Sequence, residues 1–332
     1  MEVLEQPTPR AKGDLVVVEI GVVPMCTEFK QRKSGPALNI LGHEAAGIVV
    51  DAGQSSRVAV GDRVAVMPHY GCGTCWLCTA GDYMYCQNQR DVLSETVQDY
   101  GTATYAQYVL KPDWLLAPIP EDISLEHGSL ACCGLGPSLT AMERMHVRAL
   151  DTLLVSGCGP VGLGAIIHGI VRGARVFAIE THPYRAELAL KLGAQRVFDP
   201  RQDDVVDQIR AATRDARGVD ASVETSGAPG TSRTVARATR ARGQISFVAW
   251  GADLDLPPLV PLGLDIHGCW HWNHLTSASA MWETIRKAGP LLDTMVTHTL
   301  GLDQVSEAMD IQDTGNCGKI LLLPNGHEQE IR

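Results

Sequence analysis

Gly157-Cys-Gly-Pro-Val-Gly162 stands between an apolar run, Leu153 to Val155, and an amphipathic stretch, Val161 to Val171. No other segment of the 332 residues restricts the fold as much, because a strand that turns straight into a helix over spaced glycines belongs to a βαβ unit. Gly157 is expected to make the tight turn and Gly159 to let the backbone approach a pyrophosphate, while Gly162 lets helix and strand pack closely. Pro160 fits the first helical turn, and the N–H groups of Val161 and beyond would face an anion at the helix N-terminus. A second apolar run, Val176 to Ile179, ends at Glu180, where a carboxylate can accept from the adenosine ribose hydroxyls and repel a 2′-phosphate. NAD is therefore expected over NADP, although His182 and Arg185 lie close by in the sequence.

The same alternation continues, with strand runs Ala221 to Glu224 and Gln244 to Ala249 and helical stretches Tyr184 to Leu192 and Gly230 to Arg240. It predicts an α/β fold with a doubly wound parallel (Rossmann) sheet in a nucleotide domain, residues 134–288. Before it the pattern is different: short β-rich runs (Asp14 to Ile20, Ala46 to Asp51, Arg63 to Met67, Ala106 to Leu110) separated by turns, which predict a mostly β domain over 1–133. Residues 289–332, with a helical Gln304 to Ile311 and a strand-like Lys319 to Leu323, are expected to return to that first domain.

A formal charge of −10 disfavours nucleic acid and acidic membranes as partners, since phosphate contacts need Lys and Arg gathered on one face. No long uncharged apolar run is present, and Met1 to Arg10 has the glutamates and prolines that a secretion signal lacks; a cytoplasmic chain is expected. Ten cysteines in such a chain point to metal or redox chemistry rather than disulfides. Four of them, Cys72, Cys75, Cys78 and Cys86, have spacing that lets thiolates converge on one ion and close a structural zinc site. A nucleic-acid-binding zinc ribbon would need a more distant second pair and a basic surface. Cys158, Cys269 and Cys317 read as packing residues, and Trp270 to His274 form an aromatic and polar cluster suited to a pocket or an interface.

Upstream stands Gly42-His43-Glu44-Ala-Ala-Gly47. This segment, the four cysteines and the glycine fingerprint come in an order that closely resembles the zinc-containing medium-chain alcohol and polyol dehydrogenases, over nearly the whole chain from Pro7 to Pro324. The resemblance implies a GroES-like first domain, one structural and one catalytic zinc, NAD, and a small alcohol or carbonyl substrate. By the same resemblance His43 is a catalytic-zinc ligand and Glu44 a carboxylate that can approach the metal.

The family's first ligand is a cysteine followed after one residue by Ser or Thr and then Asp. Here the text is Met25-Cys26-Thr27-Glu28, so matching Thr27-Glu28 to that pair puts Met25 on the ligand position. Cys26 is favoured because a thiolate is a far better zinc ligand than a thioether. For the third ligand the choice lies between Cys133 and its neighbour Cys132, with Cys133 favoured. The resemblance also makes Thr27 the start of a proton relay, with Lys30 where many members have a histidine. It implies a homodimer or homotetramer through edge strands of the nucleotide domain, for which the run Gln244 to Leu256 is the candidate. Two other readings stand beside this one. A zinc-free reductase of the superfamily would lack both cysteine loop and Gly-His-Glu, and a non-catalytic zinc- and nucleotide-binding member would explain Met25 and the short segment between Cys26 and His43.

Overall fold

The computed structural model describes residues 3–28, 30, 41–251, 254–257 and 259–326. Its strands, in chain order, are β1 (Leu15–Pro24), β2 (Ala45–Asp51), β3 (Arg63–Val66), β4 (Tyr108–Pro112), β5 (Leu116–Pro118), β6 (Thr152–Ser156), β7 (Arg175–Ile179), β8 (Arg196–Phe198), β9 (Val219–Glu224), β10 (Thr239–Phe247), β11 (Asp265–Gly268), β12 (Val296–Gly301) and β13 (Lys319–Leu323). The chain divides into two compact units. One comprises Met1–Cys133, Asn273–Gly289 and Val296–Arg332; the other comprises Gly134–Trp272 and Pro290–Met295.

In the first unit the strand order is β12-β13-β1-β2-β3-β5, with β4 also paired to β1. These pairs are antiparallel except β12 with β13, which is parallel. β1 is apolar along nearly its whole length because both its faces are covered. Val16, Val18 and Ile20 join the main core with Val49, Val64 and Ile320, while Leu15 and Val17 pack on the other side with Val92 and Leu110. Successive side chains of a strand point to opposite faces, so a strand buried on both loses the polar alternation of a half-exposed one. The C-terminal β13 pairs with β1, which brings Lys319 into the centre of this unit.

In the second unit the order is β11-β10-β9-β6-β7-β8, and every pair is parallel. β6 lies in the middle, all five of its residues buried, with β7 and β8 laid down to one side and β9, β10 and β11 to the other. The direction of winding therefore reverses at β6, and the crevice beyond its carboxyl end is where open α/β sheets bind ligands.

The helix expected over Gly230 to Arg240 ends earlier, at Ala238, and β10 begins at Thr239. The Thr239 backbone is extended; its hydroxyl donates to Val235 O and pairs with Ser222 Oγ at 2.7 Å. The strand ends at Phe247 rather than Ala249, since the N–H groups of Val248 and Ala249 both turn to Glu224 O. The run Gln244 to Leu256 is not the sheet edge: its strand portion pairs on both sides, and β11 takes the edge. Among the described residues no helix is long and apolar enough to cross a membrane.

Candidate functional site

Cys72, Cys75, Cys78 and Cys86 gather in the first unit on a loop with two short helical turns. Cys75 caps the turn Trp76–Thr79, and Cys86 follows the turn Tyr83–Tyr85. All four sulfurs lie within 4.8 Å of one another, with Cys72 to Cys78 and Cys75 to Cys86 both at 3.9 Å. A tetrahedron with metal–sulfur arms of about 2.3 Å has edges near ~3.8 Å, so the donor set fits zinc closely. Backbone N–H groups of Thr74 and Cys75 directed at Cys72 bring its pKa down to about 6, which favours the thiolate that binds metal. Asn273 and His274, from the aromatic and polar cluster, hold this loop from beneath. Asn273 donates to Ala80 O at 2.6 Å, and the His274 ring stacks near Trp114 and meets Tyr83 edge-on.

A second group, Cys26, His43, Glu44 and Cys133, also keeps its ligand atoms within 4.8 Å. Its members come from distant points of the chain. Cys26 follows the end of β1, His43 and Glu44 lead into β2, and Cys133 lies just past the helical turn Leu125–Ser129. His43 Nε2 stands 3.2 Å from Cys133 Sγ, and His43 Nδ1 is 2.8 Å from Glu28 Oε1. Met25 is fully buried in the main core and continues the β-ladder through its N–H to Ile320 O. Cys132 turns its sulfur to the carbonyl of Val66 at 3.3 Å. Cys26 and Cys133 are thus the members of their adjacent pairs that face the group.

Two residues of this site were not legible in the sequence. Glu28 accepts from His43, and also from the Cys26 N–H at 3.0 Å and the Tyr105 hydroxyl at 3.2 Å. Lys319 is wholly buried and donates to both oxygens of Glu44, at 3.0 and 3.2 Å, while the Cys133 N–H donates to Glu44 Oε2 at 3.0 Å. Burial pushes the Glu44 carboxyl up to about 7, the Lys319 ammonium acting against it. For His43 burial acts to lower the pKa, but hydrogen bonds with Cys26 and Glu28 outweigh it and push the value up to about 11. Such a response marks a pocket rich in anionic groups and in soft donors, a set that fits zinc. Thr27 and Lys30 are both exposed, with the Lys30 N–H donating to Thr27 O at 3.0 Å. Much of the short segment before His43, Phe29 and residues 31–40, lies outside the described residues.

In the second unit the fingerprint follows β6 directly. Gly157 has φ +87°, in the left-handed region, and a Cβ at Gly162 would stand 1.8 Å from Gly157 O, so both positions require glycine. At Gly159 a Cβ would meet nothing of the chain within 4 Å. That open face, at the start of the helix Pro160–Val171, leaves room for a pyrophosphate beside the Val161 N–H and its neighbours. Glu180 accepts from Cys158 N at 2.7 Å, Thr181 N at 2.7 Å and His182 N at 2.8 Å, which fixes the carboxylate beside the fingerprint. His182 Nδ1 and Arg185 Nε are buried with no hydrogen-bond partner among the described residues, as expected of a place shaped to receive a polar ligand. The donors and the open glycine face fit a dinucleotide.

Comparison with known proteins agrees with this geometry. Residues 12–121 match the alcohol dehydrogenase GroES-like domain, and residues 160–288 match the zinc-binding dehydrogenase domain. Sorbitol dehydrogenase of Bacillus subtilis is 28% identical over 337 residues, covering 96% of this chain and 93% of that protein. L-Threonine 3-dehydrogenase of Symbiobacterium thermophilum is 31% identical over 304 residues, covering 87% and 82%. Among solved structures, alcohol dehydrogenase TADH from Thermus sp. ATN1 superposes with a TM-score of 0.84 at 25% identity, covering 96% of this chain and 95% of that one. The chain belongs to the zinc-containing medium-chain dehydrogenase family. It is an oxidoreductase of the zinc-dependent kind, and its cofactors are zinc and NAD.

Proposed function

We propose that this chain is an NAD-linked alcohol dehydrogenase that interconverts a small alcohol or polyol with its carbonyl, using Cys26, His43 and Cys133 as ligands of a catalytic zinc. The observation that carries this reading is the convergence of those three donors, with Glu28 on the far nitrogen of the imidazole. Zinc, when bound, supplies a Lewis acid for the substrate oxygen, and NAD supplies the hydride acceptor. Glu28 accepts the Nδ1 proton of His43, which fixes the tautomer and leaves the Nε2 lone pair for the metal. Lys319 and the Cys133 N–H hold the Glu44 carboxylate, so that it stays beside the ligands and one position remains for substrate. The Thr27 hydroxyl, exposed next to Cys26, takes the substrate proton toward solvent, with Lys30 one helical turn away as its neighbour. Cys72, Cys75, Cys78 and Cys86 hold a second zinc that keeps their loop in shape.

In the second unit, Gly157, Gly159, Pro160, Val161 and Gly162 bind the pyrophosphate of NAD, while Glu180 and Arg185 bind its adenosine end. The roles follow the two compact units: Met1–Cys133, Asn273–Gly289 and Val296–Arg332 for metal and substrate, Gly134–Trp272 and Pro290–Met295 for the dinucleotide. The relatives oxidise a polyol and a hydroxy amino acid, so sorbitol, L-threonine and simple alcohols form the first substrate panel.

Metal analysis of zinc-replete protein should give about two ions per chain, by the one-closed-site and one-open-site logic of zinc proteins. His43→Ala and Cys26→Ser should each retain one and lose alcohol-dependent NAD reduction, with NAD affinity nearly unchanged, whereas Met25→Leu should retain both. A single zinc in the wild type would instead favour a non-catalytic member of the family. We also propose a cytoplasmic homodimer or homotetramer joined through the edge strand β11, near which Trp250 and Val260 are exposed. Light scattering showing a monomer at micromolar concentration would exclude that assembly.

A further inference from the structure

The nucleotide-binding unit has a second electropositive recess, at the end of its sheet opposite the fingerprint. All strands of the sheet run parallel, and the fingerprint leaves the carboxyl end of β6, whereas this recess surrounds the amino ends of β9 and β10. Its volume is about 800 Å³, within the range of small-molecule sites. Five guanidinium groups line it: Arg210 from the helix Val205–Ala211, Arg217 from the turn before β9, Arg237 from the helix Thr231–Ala238, and Arg240 and Arg242 from the opening of β10.

These charges are compensated only in part. Asp220 serves both Arg217, at 3.3 Å, and Arg240, at 2.7 Å, and its second oxygen is taken by the Thr152 N–H at 2.8 Å. Arg210 donates to the carbonyl of Arg237 at 3.2 Å. The side chains of Arg237 and Arg242 are exposed and make no hydrogen bond or ion pair with any described residue. Arg242 is moreover held at φ 60°, a conformation that a residue with a Cβ seldom adopts. Asp207 is the one carboxylate among the described lining residues, so with Asp220 counted five fixed positive charges face two negative ones among the described residues. Guanidinium cannot relieve this by losing its proton, and its planar fork matches phosphate oxygens two at a time. One side of the recess, with Pro257 and Leu262, is apolar.

We propose that this recess binds a small organic polyphosphate, of the nucleoside di- or triphosphate class, with its phosphates on Arg237 and Arg242 and its base against Pro257 and Leu262. A single open recess of this volume, in a chain of net charge −10, favours a small anion over a nucleic acid, which would need an extended basic face. This site is separate from the dinucleotide site and does not depend on the alcohol dehydrogenase reading.

Calorimetric titration of the NADH-saturated enzyme with ATP tests it, because the fingerprint is then already filled. One ATP should bind per chain, and inorganic tripolyphosphate should bind to the same site more weakly, lacking a base. The double variant Arg237→Ala/Arg242→Ala should weaken ATP by about tenfold or more, the size expected for losing charge-assisted contacts. Its NADH affinity and melting temperature should stay as in the wild type, since both residues are exposed. Arg242→Gln alone should give an intermediate loss. Absence of saturable binding in the wild type, equal ATP affinity in wild type and double variant, or duplex DNA displacing ATP at equal concentration would each overturn the proposal.

Discussion

The two candidate metal clusters of the first unit use the same cysteine chemistry in opposite ways. The four-cysteine loop draws every donor from residues 72–86, and its sulfurs saturate a tetrahedron. The other cluster collects Cys26, His43, Glu44 and Cys133 from separate elements, and one of its donors, Glu44, is tied back by a buried lysine. A closed set of four thiolates can only hold shape, whereas a mixed set with one restrained member can keep a coordination position for chemistry. What distinguishes the clusters is thus less the donors than what restrains them.

The largest effect that would separate the two is on stability. Cys75→Ser should remove one zinc and lower the melting temperature by roughly 10 °C, since a structural zinc contributes several kcal/mol of folding energy, while the other zinc remains bound. Scanning calorimetry with metal analysis checks this; an unchanged melting temperature would remove the structural role of the loop. Smaller is the effect of Glu28→Gln. It should weaken zinc at the mixed cluster by about 10–100-fold, as loss of a partner to a ligating histidine does, and leave the four-cysteine loop intact. Competition with a chelator reads both sites, and equal retention in variant and wild type would show that Glu28 does not orient His43.

A third effect concerns acid, and it arises outside both clusters. His168 is fully buried in the second unit; burial, with Arg172 beside it, brings its pKa from 6.5 down to about 3. The folded state therefore refuses a proton that the unfolded chain accepts below pH 6.5. Stability from this group is complete above pH 6.5 and is lost as the pH falls toward 3, by up to about 1.4 kcal/mol per pH unit. Replacing His168 by Gln should flatten the pH dependence of denaturant unfolding between pH 6 and 4. An unchanged slope would place the acid sensitivity elsewhere, for instance in the metal clusters.

The four-cysteine loop was legible in the sequence because its donors are neighbours in the chain; the mixed cluster was legible only where a local motif marked it. His43 stands out in Gly42-His43-Glu44, but the choice between Met25 and Cys26 depends on which of two adjacent side chains turns inward. Continuing from β1, the extended backbone sends Met25 into the core and Cys26 the other way. Lys319 lies 275 residues from Glu44, and no periodicity links them. In the nucleotide unit, the buried strands β6, β7 and β9 were plain as apolar runs. The edge strand β11, Asp-Ile-His-Gly, was not, because a strand covered on one side only has no need of a continuous apolar text. The arginine recess was hidden for another reason: a net charge is a sum, and acids elsewhere in the chain mask a local excess of the opposite sign.

The return of β13 to the first unit also sets an order in time. On a ribosome the chain has all four sulfurs of the loop soon after residue 86 is made, and that site can fill well before residue 319 exists. Glu44 must wait. Until Lys319 is synthesised, 275 residues later, the carboxylate lacks the ammonium that accompanies it out of water, and breaking such a buried pair costs about 3–5 kcal/mol. The two clusters thus become able to hold metal at different stages of synthesis, the four-cysteine loop early and the mixed cluster only once β13 is made.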